Sequence, residues 1–146
     1  MTPAELLVEG RNQLRVTDVL VGEGWLCPGQ SNTGFRFPRS HTAKTDVPAA
    51  NFPLIRQFDV RTPNGAESQT PTLGRWSRTT PEDARYFTAV GYYFALELHR
   101  ALGVPVGFIR AAVGGSRIEA WMGADALAND AAFASVGENW QRTQVN

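Results

Sequence analysis

The chain has 146 residues, the length of about one domain, and its 42% apolar and 10% aromatic content is enough to build a core, which argues against disorder. Its 14 basic and 14 acidic residues cancel and no basic run occurs, so the electrostatic footprint of a nucleic-acid partner is missing. No apolar run approaches the ~20 residues that span a bilayer, so no membrane partner is expected. The lone Cys27 allows neither an intrachain disulfide nor a zinc site built from cysteine pairs.

The first residues, Met1-Thr2-Pro3-Ala4-Glu5, lack the basic region and apolar core of a signal peptide, and the compartment stays open. Leu6-Leu7-Val8 and Leu14-Arg15-Val16 flank a Gly/Asn-containing connection, the pattern of a hairpin. A bare hairpin is marginal in water, so this one should pack at the margin of a larger body. Trp25-Leu26-Cys27 then reads as a short buried strand that ends in a Pro28-Gly29 turn carrying Gln30-Ser31-Asn32. Such a turn lifts a small side chain out of the core and aims backbone N–H groups at the same point. A nucleophilic serine needs both, the exposed hydroxyl and the donors for an oxyanion. Four residues alone fit better a serine that merely caps a turn or a short helix.

Residues 36–52 show no apolar period and read as a surface loop. Residues 54–60 are a strand candidate, whereas 62–80 are polar and turn-rich with Trp76 as their only large anchor. Long loops of this kind are often functional and suit the rim of a cleft. Over 83–102, Phe87, Val90, Phe94, Leu98 and Ala101 recur at three- and four-residue steps, which predicts one amphipathic helix. Thr80-Pro81 supply its start and Gly103 with Pro105 its stop. Residues 106–113 read as a strand buried on both faces. A helix feeding such a strand through a short link is half of a βαβ unit, so the sheet is parallel and the class α/β. Ser116 and Glu119 fit a capping box that opens a helix directly after Gly114-Gly115. Unpaired N–H groups would then lie at the carboxyl end of a strand, where open α/β sheets bind ligands.

Val21-Gly22-Glu23-Gly24-Trp25-Leu26-Cys27-Pro28-Gly29-Gln30-Ser31-Asn32 resembles the nucleophile segment of the sialate O-acetylesterase family, within the SGNH (GDSL-like) hydrolases. Ile55-Arg56-Gln57-Phe58 is similar to that family's second strand, the run from Phe87 to Leu98 to its long helix, and Val104 to Ile109 followed by Val113 to Trp121 to its third strand and Gly-Gly turn. The resemblance runs from Gly10 to Leu127. It implies an α/β, partial SGNH-type (flavodoxin-like) three-layer domain with a parallel sheet. Residues 1–21 would be the remnant hairpin of an N-terminal β-domain, and 22–146 the N-terminal part of a hydrolase domain incomplete at its C-terminus.

The implied activity is removal of acetyl esters from sialic acid or related acylated sugars, with no metal or organic cofactor. Ser31 would be the nucleophile, Gly115 and Gly114 the oxyanion turn, and Gln30, Asn32 and Trp121 substrate-binding residues. The resemblance also exposes a gap. His99 matches a histidine that the family carries without catalytic duty, and His41 lies in a polar loop. SGNH hydrolases draw their base from an Asp-x-x-His segment, and no aspartate here has a histidine three residues on. The expectation is therefore a fragment whose isolated chain turns over little or not at all, with an unfinished sheet edge inviting self-association. The alternative is a non-catalytic module that binds carbohydrate or a partner. A phosphate-binding nest at Gly114-Gly115 is a third reading, but neither a P-loop nor a dinucleotide fingerprint accompanies it.

Overall fold

The computed structural model describes residues 3–61, 72–136 and 138–139. It divides into two compact units, with the boundary between Gly114 and Gly115. In the first unit, β1 (Ala4–Glu9) and β2 (Gln13–Val19) form the expected antiparallel hairpin. The chain then builds β3 (Glu23–Gly29), β4 (Phe52–Val60), β5 (Gly74–Thr79) and β6 (Val106–Ala112) into one sheet of order β3-β6-β4-β5. β3 with β6 and β6 with β4 are parallel, and β4 with β5 is antiparallel. The three strands read from the sequence are present and mutually parallel, and the class is α/β.

β5 is a correction. Part of the turn-rich segment pairs with β4, and its signal was a single aromatic: Trp76 packs on Phe58 with ring centroids 5.3 Å apart. Residues 62–71 of that segment lie outside the described residues. β6 also differs from a strand buried on both faces. Val106, Phe108 and Ala112 are buried, whereas its alternate residues are half-buried.

Two helices cover the Phe108 face of the sheet where one was expected. Thr80 caps α2 (Pro81–Ala84) by accepting the Asp83 N–H, the chain turns, and α3 (Ala89–Leu102) starts afresh. Its buried side is Ala89, Gly91, Tyr92, Ala95 and Leu96, while Val90 and Phe94 of the expected stripe are 53% and 41% exposed. Small residues decide the orientation, because they let the helix backbone come close to the sheet. A further correction concerns 36–52. Phe37 is fully buried and stacks on Tyr92 at 4.2 Å, in a 3-10 turn (Phe37–Arg39) that precedes a helix, α1 (Ala43–Ala49). No apolar period announces α1, because its anchor is polar. Asp46 accepts hydrogen bonds from Thr42 and Tyr93, and these hold its carboxyl below the usual carboxylate range.

The hairpin side chains are mostly exposed, and a bulge ties them to the sheet. Thr17 and Asp18 oppose Glu5 alone, between the pairs Ala4↔Val19 and Leu6↔Val16, and Asp18 has φ +61°. A short polar side chain tolerates this left-handed backbone better than most. The bulge aims the Asp18 carboxylate at Arg56 (2.8 Å) and Arg78 (2.7 Å), while Arg56 also donates to the Asp18 carbonyl at 2.7 Å. The Arg78 hydrogen bonds first, and then Arg56, hold the Asp18 carboxyl below its ordinary range. A depressed folded-state value stabilises above the unfolded pKa of about 3.9 and loses that contribution as pH falls through the folded value. Protection factors of β2 amides, corrected for intrinsic exchange, should therefore fall on acidification through this window, and Asp18→Asn should abolish that fall; an unchanged fall in that variant would refute the tether.

In the second unit the expected capping box does not form. A 3-10 turn opens only at Ile118 (Ile118–Trp121), with extended Arg117 before it and no side-chain cap. Ser116 Oγ instead accepts the Trp121 Nε1–H at 2.9 Å. A short helix, α4 (Ala124–Ala128), follows. Among the described residues no helix is long and apolar enough to cross a membrane.

Candidate active site

Parallel register brings the ends of β3 and β6 side by side, with Gly29 opposite Ala112 and the Val113 N–H donating to the Gly29 carbonyl at 3.0 Å. Beyond Gly29 the chain coils into one tight turn. Gly34 N–H donates to Gln30 O at 2.7 Å, Phe35 N–H to Asn32 O at 3.2 Å, and Thr33 Oγ1 to Pro28 O at 3.2 Å. Gly29 has φ +141°, and a Cβ there would lie 2.7 Å from Thr33 Oγ1, so the entry to this turn requires glycine. The turn leaves Ser31 and Asn32 exposed. Ser31 Oγ donates to Gln30 Oε1 at 3.3 Å, and a Cβ built on Gly114 would stand 3.9 Å from Ser31 Oγ.

Gln30, Ser31 and Gly114 are thus brought together at the carboxyl end of the sheet. Gly115 (φ +79°) and Trp121 belong to the second unit, where Trp121 is held by Ser116. Beneath the serine turn lies an ion pair the sequence reading missed. Arg110 donates to Asp59 at 2.7 Å and to the Ala112 carbonyl at 3.2 Å, and a Cβ on Gly34 would lie 3.6 Å from its Nη2. A charged residue inside the apolar run of β6 was the available signal.

His99 Nδ1 lies 2.6 Å from the Val104 carbonyl in the last turn of α3. That helix starts beside the Ser31 turn and ends where β6 begins, so the ten steps from Ala89 place His99 about 15 Å along the axis from its start. His41 is an exposed turn residue before α1. Cys27 is half-buried, and burial raises its thiol pKa, which makes it a poor nucleophile. Among the described residues no group of three or more His, Cys, Asp or Glu could hold a metal.

The α/β fold that carries this turn has a solved counterpart. A carbohydrate acetylesterase from Xanthomonas citri matches 86% of the chain with a TM-score of 0.79 and 41% identity, over 30% of its own length. The fold is thus that of a carbohydrate acetylesterase of the SGNH type. No family model matches the chain. Sialate O-acetylesterase of Homo sapiens is 35% identical over 118 residues, covering 74% of this chain and 22% of that protein. That of Rattus norvegicus is 32% identical over 123 residues, covering 78% and 23%. The chain belongs to the sialate O-acetylesterase family, and it spans less than a quarter of the length of these relatives.

Proposed function

We propose that the protein is a carbohydrate O-acetylesterase that removes acetyl groups from sialic acid or related acylated sugars, with Ser31 as nucleophile. The observation that carries this reading is the 41% identity to a carbohydrate acetylesterase over 86% of the chain, at a TM-score of 0.79. Ser31 Oγ attacks the acetyl carbonyl carbon while its proton passes to a general base. The oxyanion takes hydrogen bonds from the Ser31 N–H and from the turn at Gly114 and Gly115. Collapse of the tetrahedral adduct expels the sugar hydroxyl, protonated by the same group, and leaves acetyl–Ser31. Water then attacks the acyl-enzyme and releases acetate. Gln30 and Asn32 are proposed to contact the sugar.

The relatives extend far beyond the matched part, and in this reading the base and its carboxylate partner come from sequence outside these 146 residues. Residues 1–21 then belong to a preceding β-domain and 22–146 to the hydrolase domain. β3 is an edge strand among the described residues and carries exposed Trp25 and Leu26, which supports self-association of the isolated chain. Light scattering should show concentration-dependent oligomers; a stable monomer refutes it. A second reading, carbohydrate binding without turnover, is favoured by the hydrogen bond from Ser31 to the Gln30 amide rather than to a base. Acetate release decides between the two: the full-length protein should release acetate from O-acetylated sialic acid or another acetylated sugar, and binding without release from any of them would overturn the esterase reading.

A further inference from the structure

We infer that Thr88 is a positioning residue for the nucleophile turn, an inference that rests on reading Ser31 as the nucleophile. Thr88 stands at the N-cap position of α3, where a threonine ordinarily accepts a hydrogen bond from its own helix. Here it makes no such cap. Its hydroxyl turns away from the helix and donates to the carbonyl of Thr33, two residues after Ser31. Its N–H donates to Gln57 Oε1 at 2.9 Å. The Thr88 side of the contact is fully buried and Gln57 is 2% exposed, so neither bond is traded freely with water.

The connection is continuous from the middle of the sheet to the serine. Gln57 is fixed by its pairing with Phe108 on one side and Ser77 on the other. Gln57 holds Thr88, and Thr88 holds the Thr33 carbonyl. Thr33 in turn reaches back through its own hydroxyl to the Pro28 carbonyl at the end of β3. Just beyond, Ala89 N–H donates to Phe35 O at 2.8 Å and Phe37 N–H to Phe87 O at 2.9 Å. Residues 33–37 are therefore stitched to the start of α3, while residues 29 and 30 are stitched to β6 and the turn itself. Ser31 and Asn32 span the interval between these two anchors. They are exposed, so no packing of their own side chains sets where the hydroxyl points. The Thr88 hydroxyl supplies that constraint from outside the turn.

Small displacements of a nucleophile lower kcat far more than substrate affinity, because the reacting atoms must approach within a narrow range of distance and angle. The test uses the full-length protein and steady-state hydrolysis of p-nitrophenyl acetate. Thr88→Val keeps the shape and β-branching but deletes the donor, and should lower kcat by about 10- to 100-fold with KM within about twofold. Thr88→Ser restores the donor and should recover kcat to within about threefold of wild type. Thr88→Cys, a weaker donor, should fall between them and serves if the valine variant does not fold. Wild-type kcat in the valine or cysteine variant overturns the inference, as does a serine variant as slow as the valine one or a change confined to KM. Ser31→Ala, assayed alongside, separates the two failures: if it retains turnover the nucleophile reading itself fails, whereas an inactive Ser31→Ala with a fully active Thr88→Val refutes only the role of Thr88.

Discussion

Ser31→Ala in the full-length protein should lower kcat for acetyl ester hydrolysis by at least about 10³-fold. The side chain is exposed and its one described hydrogen bond goes to the neighbouring Gln30. Deleting the hydroxyl therefore removes no packing, and stability should change by no more than about 0.5 kcal/mol. An inactive variant with an unshifted melting temperature would separate chemistry from folding cleanly. Gly29, Gly34 and the N–H groups of the turn are untouched by the substitution, so residual turnover should exceed the uncatalysed rate. The 146-residue chain belongs in the same assay. With no base supplied it should show little turnover whether or not Ser31 is present. Full activity in that short chain would refute the reading of a distributed active site and make His41 the leading base, since His99 is engaged at the far end of α3. Undiminished activity in full-length Ser31→Ala would remove Ser31 from the mechanism.

The parts of this site that the sequence displays are those encoded locally. The strand and the serine lie within seven residues and both are where the sequence puts them, but Pro28 and Gly29 pair with β6 as the end of an exposed edge strand, so the turn opens only at Gln30, after a glycine at positive φ. The second strand end and its Gly114 are legible for the same reason, since a buried apolar run followed by glycines leaves few alternatives. What the sequence conceals is held by polar contacts between distant segments. α1 has no apolar stripe because Asp46 and Tyr93 anchor it from 47 positions apart. β5 is a strand because β4 offers it a ladder, not because Arg75-Trp76-Ser77-Arg78 alternates in any decisive way. Thr88 looks like an ordinary helix cap until its hydroxyl is seen to reach Thr33, 55 residues earlier. Arg110 looks like an interruption of a buried strand until Asp59 is found beside it. Local pattern reveals where the chain turns at the site; nonlocal hydrogen bonds determine how firmly each turn is held.

The orientation of α3 supplies the sharpest test of that distinction. Reading by large side chains, Val90 belongs to the buried stripe and Gly91 is incidental; the packing reverses this. A Cβ at Gly91 would lie 2.6 Å from the ring of Phe108 and 2.8 Å from Thr88 Cγ2. Phe108 is fully buried and meets the edge of Phe87 at a centroid distance of 5.8 Å, so its ring has nowhere to retreat. Replacing glycine inside a helix gains up to ~1 kcal/mol of intrinsic propensity, and less for valine than for alanine. Overpacking a filled core costs about 1–3 kcal/mol. The steric term wins for Gly91→Val, which should destabilise by ~2 kcal/mol, whereas Val90→Ala on the 53% exposed face should stay within ~0.5 kcal/mol. Denaturant midpoints of the two variants check the order, and a larger loss in Val90→Ala would refute the packing described for α3. Because the displaced atoms include Thr88, Gly91→Val should also slow turnover at temperatures where it remains folded. Relief of the clash requires the first turn of α3 to move off the sheet, and that turn holds the carbonyl of Thr33 beside the serine.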